Sequence, residues 1–369
     1  MKNLINALTI NQNKNISGDF FMINYLNKLF EKKNRINSKE EIENKMDSID
    51  EKIVKLSKKN QKLNNKIKKV HNNFLNLQND NEEILNSYNK QFATIFLFYD
   101  LKPKGVLKNV FILSQELLNL IVNICNKHGL TYWLDYGTLL GAQRHNSFVP
   151  WDDDIDIAMM RTDFNKFLEI ISLELDELKI SKKISVNINR LNVSGYPIPF
   201  IQIFYQPLVG SIFAGLDIFP YDYISNNTLD SKTFLKEKIN FNKKILNGVD
   251  RNQAINDSYQ NLDLTTEKTN YLISGVDGVR GGVKDYKFQI METSRIFPLK
   301  KIEFNNQEYN CPNDIDYYLK CIYGEYMEIP KIIHHHHYRL KSLMKNKETD
   351  KIYKEEIRIL VEINKKYEE

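Results

Sequence analysis

The sequence is poor in cysteine, with only Cys125, Cys311 and Cys321 in 369 residues. Three cysteines without a CxxC pair argue against a disulfide framework and a structural zinc site, so we expect reduced thiols. Long apolar runs are also missing. No window approaches the roughly 18 apolar residues that span a bilayer, and the amino-terminal segment lacks the apolar core of a signal peptide. We expect a cytoplasmic protein, either free or held peripherally at the inner face of the membrane.

A strong excess of one charge is missing as well. The net charge is +5, and residues 31–70 alone carry 13 basic and 7 acidic residues, so the rest of the chain is close to neutral. Because the basic excess lies outside the part that we expect to fold as a domain, we expect no nucleic-acid partner. Hydrophobic residues make up 42% of the chain and aromatic residues 11%, which is ample for a packed core. The length allows one large domain or two modest ones.

Proline and glycine are absent between Ile42 and Tyr88, where apolar residues recur in steps of three and four. Heptad position a holds Met46, Ile53, Asn60, Ile67, Phe74, Asn81 and Tyr88, and position d holds Ile42, Ile49, Leu56, Leu63, Val70, Leu77 and Ile84. Such a repeat predicts a coiled coil about 70 Å long. Asparagine at position a favours parallel pairing in a fixed register, so we expect a homodimer through residues 42–88. The alternative is one long amphipathic helix that lies on its own chain.

The remaining chain alternates between helical and strand patterns. Apolar residues at helical spacing predict helices at 107–127 and 162–178, the first ending at His128-Gly129. Strands are predicted at 130–134, 155–158, 184–188, 200–205 and 215–219. Strands flanked by helices predict a mixed α/β domain. We divide the chain into a polar segment with a short amphipathic helix (1–40), a coiled coil (41–99), the α/β domain (100–345) and a C-terminal helix (346–369).

Two acidic residues, Asp154 and Asp156, stand two positions apart in an alternating strand. Residues i and i+2 of a strand point to one face, so both carboxylates project together while Ile155 and Ile157 enter the core. Burying adjacent carboxylates is costly unless a cation lies between them, and Mg²⁺, or Mn²⁺ in its place, suits such oxygen ligands. Asp217, in a second apolar strand, is expected at the same metal as ligand, general base, or both. The alternatives are a solvated acidic loop and a calcium loop, although EF-hand spacing is missing.

A glycine-threonine pair, Gly137-Thr138, precedes the acidic run. Glycine lets the backbone approach a phosphate closely, and the following residues can begin a short helix whose amides, with the Thr138 hydroxyl, would bind an anion. Arg144-His145 follows this expected anion site and would pair with a phosphate or a leaving group. Taken alone, Arg144 also fits a surface salt bridge and His145 a loop histidine.

These motifs together resemble the LicD family, whose members include the fukutin-related proteins. The run YWLDYGTLLGAQRHNSFVPWDDDIDI, residues 132–157, is similar to the family pattern almost throughout. Further similarity lies at Gly215–Asp222, Phe297–Leu299, Phe304, Cys311-Pro312, Tyr323–Met327 and Pro330. The resemblance covers about Leu107 to Pro330 and leaves out the predicted coiled coil. It departs at Asn146-Ser147, where relatives usually carry glycine before the phenylalanine, which affects the loop conformation but spares the carboxylates.

The resemblance implies a nucleotidyltransferase fold and transfer of a phospho-alcohol, such as phosphocholine or ribitol phosphate. The implied donor is CDP-activated, the acceptor is a hydroxyl group of a cell-surface glycan, free or lipid-linked, and CMP is released. Catalysis and metal binding would fall to Asp154, Asp156 and Asp217. Donor phosphates would be bound by Gly137, Thr138, Arg144 and His145, while Asp152 and Asp153 would orient these groups or contact acceptor hydroxyls. Such a transfer depends mainly on positioning and charge stabilisation.

Two other functions stay open at this point. One is a nucleotidyltransferase that moves a nucleotide and releases pyrophosphate, and the other is a non-catalytic coiled-coil scaffold. The run His334–His337 is interpreted as a solvated turn, or as the source of a histidine that reaches the site. Gly275–Gly282 lacks phosphate-loop spacing and is interpreted as a flexible loop that closes over substrate. Asp222, past Pro220, is expected to be peripheral to the site.

Overall fold

The computed structural model describes Tyr25 and residues 39–99, 102–152, 154–208, 212–279, 288–328 and 347–367. The chain divides into two compact units, Met1–Leu85 and Asn86–Glu369. Several predicted features lie outside the described residues: the short amphipathic helix of segment 1–40 except for Tyr25, Asp153, residues 280–282 of the glycine-rich loop, Pro330, and His334–His337. The division into segments at residues 40, 99 and 345 stays a prediction.

The first unit contains most of a single long helix, α1 (Lys39–Phe98), which ends within the second unit. The sixty residues of α1 contain neither proline nor glycine, so no position interrupts the backbone hydrogen bonds of the helix. The predicted long amino-terminal helix is therefore confirmed. Its pairing with a second chain stays a prediction. In the part of the chain that is described, no helix is both long and apolar enough to cross a membrane.

The second unit combines helices with short strands. Its helices are α2 (Val106–Lys127), α3 (Tyr136–His145), α4 (Arg161–Glu177), α5 (Ser231–Leu246), α6 (Arg251–Leu262), α7 (Thr293–Ile296), α8 (Ile315–Tyr323) and α9 (Lys347–Lys365). Its strands are β1 (Tyr132–Leu134), β2 (Ile155–Met160), β3 (Ile184–Asn187), β4 (Arg190–Leu191), β5 (Pro197–Ile198), β6 (Ile201–Tyr205), β7 (Ala214–Ile224), β8 (Leu264–Thr265), β9 (Tyr271–Ser274), β10 (Met291–Glu292), β11 (Lys300–Phe304) and β12 (Gln307–Cys311).

One mixed sheet organises this unit. Its central strands lie in the order β1-β2-β7-β6-β3. β2 and β7 are parallel, whereas β1 with β2, β7 with β6 and β6 with β3 are antiparallel. The carboxyl half of β7 pairs with β8 and β9, and β10 extends β9. A mixed sheet flanked by helices confirms the predicted α/β fold class.

The apolar stripe of α2 forms much of the core. Leu113, Leu117, Ile121 and Ile124 are fully buried at the spacing expected for one helix face, and α2 packs against α9 and β7. Burial of each such side chain contributes about 1.5–3 kcal/mol. Gly129 follows α2 with a φ of 64°, a left-handed conformation that glycine adopts without strain. The helix predicted at 107–127 is confirmed, including its end.

A buried charge cluster links four parts of the second unit. Arg161, at the junction of β2 and α4, donates to Asp222 at 2.8 and 2.7 Å and to Asp277 at 2.7 and 2.6 Å. Arg251 of α6 also contacts Asp277, and the Tyr259 hydroxyl donates to Asp222 at 2.6 Å. Burial alone would raise the pKa of Asp277, but the two arginines lower it.

This cluster fixes the start of the glycine-rich segment. Gly275 lies so close to Arg161 and Asp222 that an added Cβ would come within 2.5 Å and 2.9 Å of their side chains. Val276–Gly278 forms a buried 3-10 turn whose Asp277 belongs to the cluster. The structure therefore differs from the predicted flexible loop over residues 275–279. Pairing of Asp277 with Arg161 and Arg251 holds this part against the sheet.

We expect Arg161→Met to destabilise the protein by about 3–5 kcal/mol at neutral pH, because Asp222 and Asp277 would lose their main cation while buried. Asp277 has a lowered pKa in the folded protein, so its stabilising contribution exists above the ordinary value of 3.8 and disappears in acid. The loss should shrink accordingly as the pH falls. Urea unfolding of both proteins at pH 7 and pH 3.5 measures the loss of unfolding free energy and its decrease in acid.

Arg358→Met is the matched control, because the Arg358 side chain is 67% exposed and forms an ion pair with the exposed Glu355. It should change stability by less than about 0.5 kcal/mol. Equal losses for the two variants would contradict a stabilising role for the buried cluster.

Candidate active site

An acidic cluster lies at the start of β2. Asp152, Asp154 and Asp156 each offer a carboxylate oxygen, and these oxygens all lie within 4.8 Å of one another. All three residues are partly buried. Sequence reasoning selected Asp154 and Asp156 for a metal and gave Asp152 an orienting role. The geometry places Asp152 among the candidate ligands too.

Asp217 is the neighbour of Asp156 on the next strand. Parallel β2 and β7 pair these two residues directly, so both side chains leave the same face of the sheet. Asp217 is 4% exposed, while Ile155 and Ile157, on the opposite face, are fully buried in the core. The pKa of Asp156 is raised well above its usual value, first by burial and then by the charges of Asp154, Asp152, Asp217 and Asp135. The carboxylates therefore form one electrostatic group.

A polar row continues from Asp217 across the sheet. Antiparallel β6 pairs Gln202 with Asp217, and β3 pairs Asn187 with Gln202. The Gln202 amide nitrogen donates to the Asp217 carboxylate at 3.2 Å. Because a carboxylate only accepts, this bond fixes which end of the amide faces Asp217. The Gln202 amide oxygen is buried and meets no donor among the described residues, a costly arrangement that is typical of functional sites.

Gly137 makes room for the acidic cluster. A Cβ on Gly137 would overlap the carboxylate of Asp152 and would come within 3.3 Å of that of Asp156. The Gly137 N–H also donates to the Asp156 carboxylate at 3.1 Å. Sequence reasoning assigned this glycine to a phosphate. The contact in the structure is to a candidate metal ligand, and the phosphate role stays a prediction.

Thr138 and Asp135 hold the backbone of Asp156. The Thr138 hydroxyl accepts from the Asp156 N–H at 2.8 Å, and the Asp135 N–H donates to the Asp156 carbonyl at 3.0 Å. Asp135 also caps α3 by accepting from the Tyr136 N–H at 2.8 Å. Tyr136 has a φ of 33°, a strained value for a non-glycine residue, so the turn between β1 and α3 is held by these bonds.

Asp135 belongs to a second network that sequence reasoning missed. The Tyr318 hydroxyl of α8 donates to Asp135 at 2.8 Å, and the Trp133 indole donates to Tyr318 at 3.0 Å. Burial raises the pKa of Asp135 to about 6. An aspartate directly before a helix is a recognisable cap signal, so this residue could have been found from the sequence. Its partner Tyr318, 183 residues away, could not.

Arg144 and His145 lie in the last turn of α3. Arg144 donates to the carbonyl of Tyr326 at 3.4 Å, and its guanidinium lies 6.0 Å from the ring centre of Trp151. Trp151 directly precedes Asp152, so Arg144 approaches the loop that carries the acidic cluster. Burial and then Arg144 lower the pKa of His145 to about 4. His145 is therefore neutral at pH 7 and suits hydrogen bonding better than charge pairing.

Tyr323, at the end of α8, also lies near the cluster. Burial of its hydroxyl raises its pKa well above the usual value, and the charges of Asp156, Asp135, Asp152 and Asp154 raise it further. The residue as a whole is 39% exposed. Sequence reasoning placed Tyr323 in a family motif without a role. The structure adds it to the residues around the candidate metal site.

Comparison with known proteins finds relatives over the part of the chain that carries most of this site. Residues 129–254 match the family described as LicD/FKTN/FKRP, nucleotidyltransferase domain. The chain is 35% identical over 74 residues to the lipopolysaccharide cholinephosphotransferase LicD of Haemophilus influenzae, a match that covers 20% of this chain and 28% of that protein. It is 39% identical over 49 residues to the ribitol 5-phosphate transferase FKRP of Mus musculus, covering 13% of this chain and 10% of that protein. The chain thus spans under a third of the length of these relatives.

We expect Gly137→Ala to weaken divalent-cation binding at least tenfold with little loss of stability. The added methyl group overlaps the end of a flexible side chain, so Asp152 can rotate away, and the cluster loses that oxygen. Titration calorimetry with Mg²⁺ and thermal unfolding without metal measure the two effects. Gly215→Ala is the control, because its methyl group would make an ordinary contact at 3.6 Å with Phe204. Unchanged affinity in Gly137→Ala would disprove a crowded metal site.

Gln202→Met should lower Mg²⁺ affinity about 10–100-fold, the usual cost of removing a residue that orients a metal ligand. Stability should change little, because methionine also removes the buried amide oxygen that lacks a donor. Titration calorimetry with Mg²⁺ measures the affinity, and thermal unfolding without metal measures the stability. A large loss of stability at unchanged affinity would show that Gln202 only supports the sheet.

Proposed function

We propose that the protein is a phospho-alcohol transferase, because residues 129–254 match the nucleotidyltransferase domain of the LicD/FKTN/FKRP family. It would move a group such as phosphocholine or ribitol phosphate from a CDP-activated donor to a glycan hydroxyl. The observation that carries the proposal is the acidic cluster with Asp217 beside Asp156 on the same face of the sheet. The two relatives, a cholinephosphotransferase and a ribitol 5-phosphate transferase, support a phospho-alcohol as the transferred group.

The chemistry is a displacement at phosphorus. The oxygen of the acceptor hydroxyl forms a bond to the phosphorus that carries the alcohol, and the bond from that phosphorus to the bridging oxygen of CMP breaks. The hydroxyl proton passes to a carboxylate, for which we propose Asp217. Asp217 suits this role because its buried carboxylate lies beside Asp156 and is oriented by the bond from Gln202.

The acidic cluster suits a divalent cation. Carboxylate oxygens within 4.8 Å of one another repel, and the raised pKa of Asp156 reflects that repulsion after burial. We propose that Asp154, Asp156 and Asp217 hold Mg²⁺, or Mn²⁺, with Asp152 as a further ligand. When bound, the ion would supply positive charge that stabilises the diphosphate and the departing CMP.

The donor phosphates would lie between this cluster and α3. The Arg144 guanidinium is the cation that we propose for the diphosphate, because His145 is neutral at pH 7. Gly137 and Thr138 hold Asp156 in place through hydrogen bonds. The missing side chain of Gly137 leaves room for the Asp152 carboxylate beside the donor phosphates. Such preorganisation places charge and ligands before the substrate arrives.

The reaction is tested by product analysis. Purified protein is incubated with Mg²⁺ and labelled CDP-choline, CDP-ribitol or nucleoside triphosphates, with and without a glycan extract as acceptor. We expect release of CMP, dependent on acceptor, and its loss when EDTA removes the ion. Pyrophosphate release from a triphosphate would instead indicate nucleotide transfer, and no turnover under any condition would favour a scaffold.

Asp156→Asn should lower turnover at least about 1000-fold while the protein stays folded, because a carboxylate ligand supplies several kcal/mol of charge stabilisation. Asp176→Asn, an exposed aspartate of α4, is the control and should keep full activity. Circular dichroism verifies the fold of both. Near-normal turnover in Asp156→Asn would overturn the proposed site.

A further inference from the structure

Helix α1 presents a continuous apolar stripe in the first unit. Nine side chains at the heptad a and d positions are between 43% and 67% exposed: Met46, Ile53, Leu56, Leu63, Ile67, Val70, Phe74, Leu77 and Ile84. Scattered exposed apolar residues are normal, but a contiguous stripe of this length marks an interaction surface. A partner for this stripe would have to cover one narrow face of the helix along about 60 Å.

We propose that this stripe binds a second copy of the same chain as a parallel, in-register, two-stranded coiled coil. The inference rests on the first unit alone and does not depend on the proposed activity. Three features of α1 select this partner: two asparagines in the stripe, the charges beside it, and the polarity of the remaining surface.

The asparagines select the register and direction. Asn60 and Asn81 both occupy position a, and in a parallel in-register pair each faces its own copy, so their amides can bond to each other. A shift by one heptad would place Asn60 against Ile53 or Ile67 of the partner. In an antiparallel pair, position a faces position d, so both asparagines would meet apolar residues. Each alternative buries amides without partners at a cost of about 1–3 kcal/mol per group.

The charges beside the stripe agree with parallel pairing. Position g holds Lys45, Lys52, Lys59 and Lys66, and in a parallel pair each faces position e five residues further along the partner. Those e positions hold Asp50, Ser57, Asn64 and His71. Lys45 thus meets an acidic residue, and no lysine of this set meets another lysine. The pattern removes like-charge repulsion from a parallel homodimer.

The heptad positions of α1 that face away from the stripe, b, c and f, are mostly polar. Position f is polar throughout, from Glu51 and Lys58 to Asn65, Asn72 and Asn79. On positions b and c only Val54 and Leu75 are apolar between residues 47 and 83. One narrow stripe supports one neighbour, because trimers and tetramers bury a wider face. Two strands are therefore favoured over three or four.

Cysteine cross-linking of the full chain tests the geometry. Leu63→Cys and Leu77→Cys place single thiols at position d, where a parallel in-register pair brings identical residues together. Mild oxidation with copper-phenanthroline should link both variants into dimers on non-reducing gels. An antiparallel pair could bring at most one of these residues near its own copy. Linking of neither or only one variant would therefore overturn the proposal.

Two controls accompany the cross-linking. Asn72→Cys, at the outward position f, should remain monomeric on the same gels. The unmodified chain should also stay unlinked, because Cys125 and Cys311 are buried and Cys321 is half-buried. Cross-linking of Asn72→Cys to the same extent as Leu63→Cys would indicate random collision and would count against the proposed pair.

Mass in solution tests the assembly size. Sedimentation equilibrium of the full chain should give twice the mass of one chain, and Ile53→Glu/Ile67→Glu should halve it by placing charges in the stripe. Asn65→Glu/Asn72→Glu adds the same charge at position f and should stay dimeric. A monomeric wild type, a trimer or tetramer, or equal dissociation of both double variants would overturn the proposal. Retained thermal unfolding of the second unit shows that each variant is folded.

Discussion

Mutual repulsion among carboxylates on one face of a sheet is the constraint on which the candidate site depends. Asp152, Asp154 and Asp156 lie together, and Asp217 lies beside Asp156 on a parallel strand. Burial raises the pKa of Asp156, and each neighbouring charge raises it further. Such a group is costly to keep ionised without a cation, and a divalent cation is also what the proposed transfer from a diphosphate donor would use. The repulsion that raises the free energy of the folded protein would thus also provide the binding site for the cation of the proposed reaction.

The surrounding residues hold that cluster through the backbone more than through side-chain charge. Gly137 and Thr138 bond to Asp156 at both its carboxylate and its N–H, and Asp135 bonds to its carbonyl. Asp135 is in turn held by Tyr318 from α8. The opposite end of β2 is fixed by Arg161 and its two buried aspartates. A strand held at both ends can keep carboxylates within the few tenths of an ångström that metal binding demands.

Local patterns predicted much of this protein. The heptad repeat gave a continuous α1, and the apolar spacing gave α2 and α4 with their buried faces. Alternation in β2 correctly put Ile155 and Ile157 in the core and Asp154 and Asp156 together outside it. The motif of residues 132–157 indicated a resemblance to the LicD family, and residues 129–254 match the model of that family. These features follow from spacing along one helix or strand, and backbone geometry converts such spacing directly into a shared face.

What the sequence by itself determined is therefore the long helix α1, the helices α2 and α4 with the faces they bury, and the shared face of Asp154 and Asp156. The tertiary structure alone decided that Asp217 pairs in register with Asp156 and that Gln202 donates to Asp217. It also placed the Asp152 carboxylate where a Cβ on residue 137 would lie. It also decided that Asp277 is held by Arg161, 116 residues away. Such contacts depend on which strands become neighbours and in what register, and no local period encodes that choice, because it is made by packing of the whole sheet.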